Sequence, residues 1–122
     1  YNPGSISNQA RPFERELTRF AFKAKFFDFA LKNYQLSEAD KKKVTAEVER
    51  HFRINILDRI YKKEVSKEER ISRLKEIAKL PESTLHLLQS DLKFRKLDYA
   101  ILRSKNVTFF DAFKKLRLKL NA

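Results

Sequence analysis

Cysteine and methionine are absent from this chain of 122 residues, and glycine occurs once. Without cysteine the chain can form neither a disulfide framework nor the common thiolate zinc sites. A single glycine excludes a glycine-rich phosphate loop, and with three prolines the chain lacks the regular turns of a β-sheet. The composition therefore predicts an all-α protein. The lack of methionine, with a start at Tyr1, indicates a fragment or a chain processed at its N-terminus.

Long apolar runs and a surplus of acidic residues are missing as well. No run approaches the roughly 18 residues of a membrane-spanning helix, and no secretory signal pattern is visible. Lys and Arg number 28 against 16 Asp and Glu, a formal net charge of +12. Such an excess attracts nucleic acid, anionic lipid headgroups or phosphorylated molecules, but basic residues can also simply solvate helix faces.

Apolar residues recur at three- and four-residue steps and predict a bundle of about five helices after a short extended segment, residues 1–12. The first helix is expected from Phe13 to about Tyr34. It carries a second apolar stripe opposite its main one, formed by Phe22, Phe26 and Phe29. We therefore expect this helix to be covered on two faces, by neighbouring helices or by a domain outside the chain.

Start and stop signals divide the rest of one helical domain, residues 13–122. Ser37 is a good cap for the second helix, and Ser66 with Glu69 forms a capping box for the third. Pro81 ends the third helix and starts a fourth, which runs through Leu92 or on to Leu102. Thr108 is predicted to cap a last helix, residues 109–120.

No pattern of catalytic, cofactor-binding or metal-ligating residues emerges. His51 and His86 are far apart, and neither belongs to a His-Glu-x-x-His or Glu-x-x-His pair. Glu47 can share a helix face with His51, but a structural or surface role is favoured for this histidine. Asp-x-Asp is absent, so the usual carboxylate pair for a nucleotide-bound metal is missing. We expect no catalytic site, no metal and no cofactor within this chain.

Residues 74–85 partly resemble a helix-turn-helix, with Ile77-Ala78 before the turn and Ser83-Thr84 opening the second helix. The usual turn is shortened, and residues 85–91 carry no basic side chain, although phosphate contacts dominate DNA affinity. A basic helical module that binds nucleic acid, or a regulatory module, stays as an alternative.

The last helix is the most polarised. Its apolar residues fall within a narrow arc: Phe109, Ala112, Phe113, Leu116 and Leu120. Residues 93–119 hold nine basic residues against two acidic ones, Asp98 and Asp111. Phenylalanines flanked by Lys and Arg favour the headgroup plane of anionic lipid, although the same stripe can instead dock on the helical core. The residues predicted to contact a membrane or polyanion are Phe109, Phe113, Lys114, Lys115, Arg117 and Lys119.

The N-terminal stretch Tyr1-Asn2-Pro3-Gly4-Ser5-Ile6-Ser7-Asn8 resembles the segment that closes the nucleotide-sugar domain of bacterial family 2 glycosyltransferases. In that family a strand containing Tyr leads into Gly-Ser-Ile-Thr/Ser, and a helical C-terminal region follows. The basic amphipathic end, residues 97–103 and 109–120, is also similar to the tails of such enzymes.

The resemblance implies the C-terminal helical region of an enzyme that builds capsular or cell-surface polysaccharide on lipid-linked acceptors. Its implied roles are acceptor positioning, oligomer contacts or membrane-surface docking. The implied partners are an upstream catalytic domain, an anionic membrane and a second copy of the chain. The implied localisation is cytoplasmic, as a peripheral protein at the inner membrane face. The family's metal-binding Asp-x-Asp and catalytic base would lie upstream, and no residue here matches them.

Overall fold

The computed structural model describes residues 13–120, which form six helices and no strand. The predicted all-α class is therefore confirmed. The predicted extended segment, residues 1–12, and with it the Gly4-Ser5-Ile6-Ser7 motif, lies outside the described residues.

The helices follow one another with short connections. They are α1 (Phe13–Asn33), α2 (Glu38–Phe52, continued by a π-helical turn Arg53–Leu57 and by Asp58–Ile60), α3 (Lys67–Ala78), α4 (Glu82–Leu85), α5 (Lys93–Arg103) and α6 (Val107–Leu120).

Two predicted caps are confirmed. Ser37 Oγ accepts from the Asp40 amide and Ser66 Oγ from the Glu69 amide, both at 3.1 Å, so each side chain satisfies an orphan donor at a helix start.

The core lies where α1 crosses α2 and extends toward α3 and α5. Phe20 of α1 is fully buried, with its ring centroid 5.2 Å from that of Phe52 on α2. Phe52 in turn meets Tyr99 of α5 at 6.2 Å. Leu74 and Ile77 of α3 close the cluster from another side. The predicted main stripe of α1 is thus buried at its centre, Phe20 and Ala24, and partly buried on either side, whereas its last residue, Tyr34, is 61% exposed.

The second stripe of α1 is not covered by the neighbouring helices. Phe22 is 77% exposed and Phe26 62% exposed, and Phe29 is exposed as well. These rings lie on the helix side opposite Phe20 and Ala24, which face the core. The expectation that neighbouring helices cover this stripe is therefore wrong for the described part of the chain. We call Phe22, Phe26 and Phe29 the outer stripe of α1.

The predicted fourth helix is a single turn, α4, separated from α5 by irregular residues. Leu85 and Leu87 are both buried, yet two positions on a continuous α-helix would point about 200° apart. The chain leaves the helix to bury both leucines. The freed carbonyl of Leu88 accepts from Arg103 Nη1 at 3.2 Å, so the break leaves this group satisfied.

The last helix begins two residues before the predicted start. Asn106 Oδ1 accepts from the Phe109 amide at 3.1 Å, and the Asn106 carbonyl accepts from the Phe110 amide at 3.0 Å. The cap is therefore Asn106 and not Thr108. Lys105 just before it has φ 68°, the left-handed conformation in which helices commonly end. This short turn sets α6 against α5.

Candidate functional site

The apolar arc of α6 faces solvent, not the core. Phe109 is 53% exposed, Leu116 57% and Leu120 75%. Ala112 is exposed too, and Phe113 is half-buried with its ring stacked on Phe109 at 6.5 Å. We call these five residues the outer face of α6. An amphipathic helix normally buries such a face, so this orientation needs a cause.

The inner side of α6 supplies that cause, because it carries buried charges. Its buried residues are Val107, Phe110, Asp111 and Lys114. Asp111 forms a two-pronged ion pair with Arg70 of α3, with Nε–Oδ1 at 2.9 Å and Nη2–Oδ2 at 3.2 Å. The Tyr61 hydroxyl donates to the same Oδ1 at 2.9 Å. This arrangement fixes α6 on α3 with its apolar arc outward.

Lys114 and Arg117, predicted to lie on the binding surface, are turned inward to Asp98 of α5. The Lys114 Nζ lies 3.6 Å from Asp98 Oδ2, and Arg117 Nη2 pairs with the same oxygen. Lys114 is only 9% exposed. The placement of these two cations on a membrane or polyanion surface is therefore corrected. The periodicity of α6 alone does not reveal that Asp98 on the neighbouring helix α5 pairs with these two cations.

The remaining exposed charge of α5 and α6 is all positive. Both acidic residues of these helices are buried, Asp98 at 2% exposure and Asp111 at 4%. Lys115 and Lys119 are exposed beside the outer face of α6, and Lys93 and Lys96 are exposed on α5. The two acids are hidden on the inside together with Lys114, so every fully exposed charge on these two helices is a lysine.

Apolar exposure continues from α6 onto α5. Phe94 and Leu97 are 43% and 47% exposed. The Arg117 guanidinium lies over the Phe94 ring at 4.9 Å, which places Phe94 at the α5–α6 contact. The two helices together therefore present phenylalanine and leucine side chains next to lysines.

Burial shifts the ionisation of the inward-facing groups in opposite directions. It raises the pKa of Asp98, although Lys114 and Arg117 favour the carboxylate. The same burial lowers the pKa of Lys114, opposed mainly by Asp98. Burial alone would also raise the pKa of Asp111. The hydrogen bonds from Arg70 and Tyr61 outweigh this effect and hold the pKa of the Asp111 carboxyl below its usual value.

The two histidines take no part in this surface. His51 is half-buried, with Nδ1 3.5 Å from Lys23 Nζ, and burial together with that ammonium lowers its pKa. His86 is exposed directly after the single turn α4, with its Nε2 4.0 Å from Glu82 Oε2. Residues 13–120 contain no group of three or more His, Cys, Asp or Glu placed to hold a metal ion.

The partial helix-turn-helix pattern does not form a recognition helix. After Pro81 the chain makes one helical turn, in which Thr84 and Leu85 are buried. A recognition helix needs a longer exposed face to enter a DNA groove.

Within residues 13–120 no helix combines the length and the hydrophobicity needed to cross a bilayer. Comparisons with protein-family models, with curated proteins and with solved structures give no match.

Proposed function

We propose that this chain is a non-catalytic helical domain that docks on an anionic membrane surface through the outer face of α6. The observation that carries the proposal is that Phe109, Phe113 and Leu116 point away from the core in a region whose exposed charges are all positive. Contiguous exposed apolar side chains mark interaction sites. Basic residues beside them match the pattern of helices that lie in the headgroup plane.

The energies involved suit reversible docking. Burial of a large apolar side chain contributes about 1.5–3 kcal/mol when it is complete. Each lysine near an anionic leaflet adds about 1 kcal/mol of attraction. Lys115 and Lys119 flank the outer face and are free of the inward pairing that holds Lys114. Partial burial of the apolar side chains and two lysines give weak, salt-dependent attachment that an adjoining domain can reinforce.

The wider role follows from the sequence resemblance. As the C-terminal region of a family 2 glycosyltransferase, this domain would hold an upstream catalytic domain near lipid-linked acceptors at the inner membrane face. The outer stripe of α1 follows the Gly4-Ser5-Ile6-Ser7 motif in sequence. That exposed stripe would be covered by the catalytic domain, which leaves α6 for the membrane.

Vesicle sedimentation tests the docking directly. We expect binding to vesicles that contain phosphatidylglycerol, little binding to neutral phosphatidylcholine, and a decline with added salt. The pair K115Q/K119Q should weaken anionic binding by about tenfold or more, because two attractions of about 1 kcal/mol are lost.

The matched control is K42Q/K43Q, which removes the same charge from exposed positions of α2. It should bind vesicles nearly as the unaltered chain does. Equal binding to neutral and anionic vesicles, or equal losses in the two variants, would overturn the proposal. If the chain binds neither kind of vesicle but retards duplex or single-stranded nucleic acid in a mobility-shift assay at low salt, the nucleic-acid alternative would be favoured.

A further inference from the structure

The outer stripe of α1 is a ridge of three exposed rings. Phe22 is 77% exposed, Phe26 62% and Phe29 55%, so each ring presents more than half of its surface. On a helix that turns about 100° per residue, Phe26 and Phe29 lie within about 40° of Phe22. Phe20 and Ala24, on the opposite side of α1, are fully buried and hold the helix against the core. The ridge therefore lies on a preformed helix, and binding to it does not require this helix to fold.

The rim of this ridge is positively charged. Arg15, Arg19 and Lys25 lie within about 60° of Phe22, whereas no Asp or Glu of α1 falls within that arc. Arg15 and Lys25 are exposed and have no ion-pair partner among the described residues. The Arg19 side chain is 54% exposed, although its Nη1 lies 3.6 Å from Glu16 Oε1. The ridge therefore complements a partner whose apolar surface is bordered by carboxylates.

The three rings follow one another at steps of four and three residues. This is the spacing with which one helix contacts a second helix along an apolar seam. The helix α1 has 21 residues and is about 31 Å long, so a partner helix can lie along the whole ridge. Aromatic rings are enriched at the centres of protein interfaces. Spacing and side-chain type together favour a helical protein partner.

A second copy of this chain does not supply the complementary surface. Its own α1 would bring arginine and lysine against arginine and lysine, and like charges that face each other across an interface disfavour association. The other groups of exposed apolar side chains on the described helices lie on α5 and α6, where the fully exposed charges are lysines. The acidic surface must therefore come from a different domain or chain.

We propose that the outer stripe of α1 binds an acidic amphipathic helix of a partner domain. Apolar side chains of that helix pack between the three rings, and its carboxylates face Arg15 and Lys25. In the proposed function this helix belongs to the upstream catalytic domain, so the identity of the partner rests on that function. The chemistry of the contact does not, and it is independent of membrane docking through α6.

Two synthetic helical peptides as long as α1 test this contact without lipid. Both carry the same seam of leucines at alternating steps of four and three residues, flanked by glutamates in one peptide and by lysines in the other. Fluorescence anisotropy of the labelled peptides, titrated with the 122-residue chain, measures binding. We expect the acidic peptide to bind with a Kd on the order of 100 μM or tighter, and less tightly as salt is added. The basic peptide should bind at least about tenfold more weakly.

The variants F22S/F26S and F109S/L116S form a matched pair for the apolar part of the contact. Each removes two exposed apolar side chains, so the fold is retained, which the urea midpoint checks. F22S/F26S should weaken binding of the acidic peptide by about tenfold or more, because two of the three rings are lost. F109S/L116S should leave it nearly unchanged.

R15Q/K25Q and K42Q/K43Q form the matched pair for charge. Both variants remove two exposed cations, the first beside the ridge and the second on α2. R15Q/K25Q should lower the affinity for the acidic peptide about tenfold and reduce its discrimination from the basic one, and K42Q/K43Q should change neither.

Three results would overturn the proposal: no saturable binding of the acidic peptide up to about 1 mM, equal affinity for the two peptides, or equal losses within either pair of variants. Oligo(dT) that binds more tightly than the acidic peptide, and is lost in F22S/F26S, would overturn it in favour of base stacking on the rings. Because no lipid is present, such a failure would leave vesicle binding through α6 unaffected.

Discussion

The double variant F109S/L116S is expected to reduce partitioning onto anionic vesicles by at least about tenfold without lowering the stability of the fold. Both side chains are more than half exposed, so the native core loses little when they are removed. On the membrane they would enter the headgroup region, where each contributes on the order of 1 kcal/mol even when partly buried. A loss of about 2 kcal/mol corresponds to more than tenfold in affinity.

The control for this variant is F22S/F26S in the outer stripe of α1. It removes two side chains that are even more exposed, so nonspecific hydrophobic binding to vesicles would fall at least as much as in F109S/L116S. Vesicle binding should stay close to that of the unaltered chain, and both variants should keep their urea midpoint. Equal losses in the two variants would show that any exposed apolar side chain suffices, which contradicts a specific role for α6.

D111A is expected to lower the free energy of unfolding by about 3–5 kcal/mol, the range for a buried pair that loses one partner. The Arg70 side chain is 11% exposed and that of Asp111 5% exposed. Removal of the carboxylate leaves the guanidinium buried without its counter-charge and the Tyr61 hydroxyl without its acceptor. Urea denaturation followed by circular dichroism measures the loss.

D28A provides the matched control, because Asp28 forms a surface pair with Lys32 at 3.0 Å. Such pairs contribute about 0–1 kcal/mol, so little change is expected. The double variant R70M/D111L should recover much of the stability, since it removes both buried charges together. A loss in D111A no larger than that in D28A would contradict the role of Asp111 as the anchor of α6.

The same pair predicts an acid dependence whose sign is fixed by Asp111. Its pKa in the fold lies below the usual value of 3.8, so its stabilisation is fully present above that value. The stabilisation declines as the pH falls through the lower folded pKa. D111A should therefore lose stability less steeply below pH 3.8 than the unaltered chain does.

Local signals in the sequence predict the helices well, because caps act within a few residues. Ser37 and Ser66 cap their helices by accepting hydrogen bonds from the amides of Asp40 and Glu69, as the spacing indicates. The predictions from the sequence are wrong where contacts between residues far apart in the chain decide the local structure. The helix after Pro81 ends early because Leu85 and Leu87 must both reach the core, which no local pattern reveals.

The orientation of α6 could not be predicted from its own residues. The apolar arc is compatible with a membrane surface and with the core, and the outward orientation is set by ion pairs of Asp111 with α3 and of Lys114 with Asp98 on α5. The signal present in the sequence was the scarcity of acids, because Asp98 and Asp111 stand alone among nine basic residues in 93–119. Asp98 is the buried partner of two of those cations, Lys114 and Arg117, whereas Asp111 pairs with Arg70 outside the segment.

Docking through the outer face of α6, and not through another exposed face, can be tested at single positions. The chain contains no tryptophan, so one introduced indole reports on a single position. We would compare the fluorescence of L116W with that of F26W on addition of phosphatidylglycerol vesicles. Docking through α6 predicts a shift of emission to shorter wavelength for L116W and an unchanged spectrum for F26W. An unchanged L116W spectrum, or a shift confined to F26W, would contradict it.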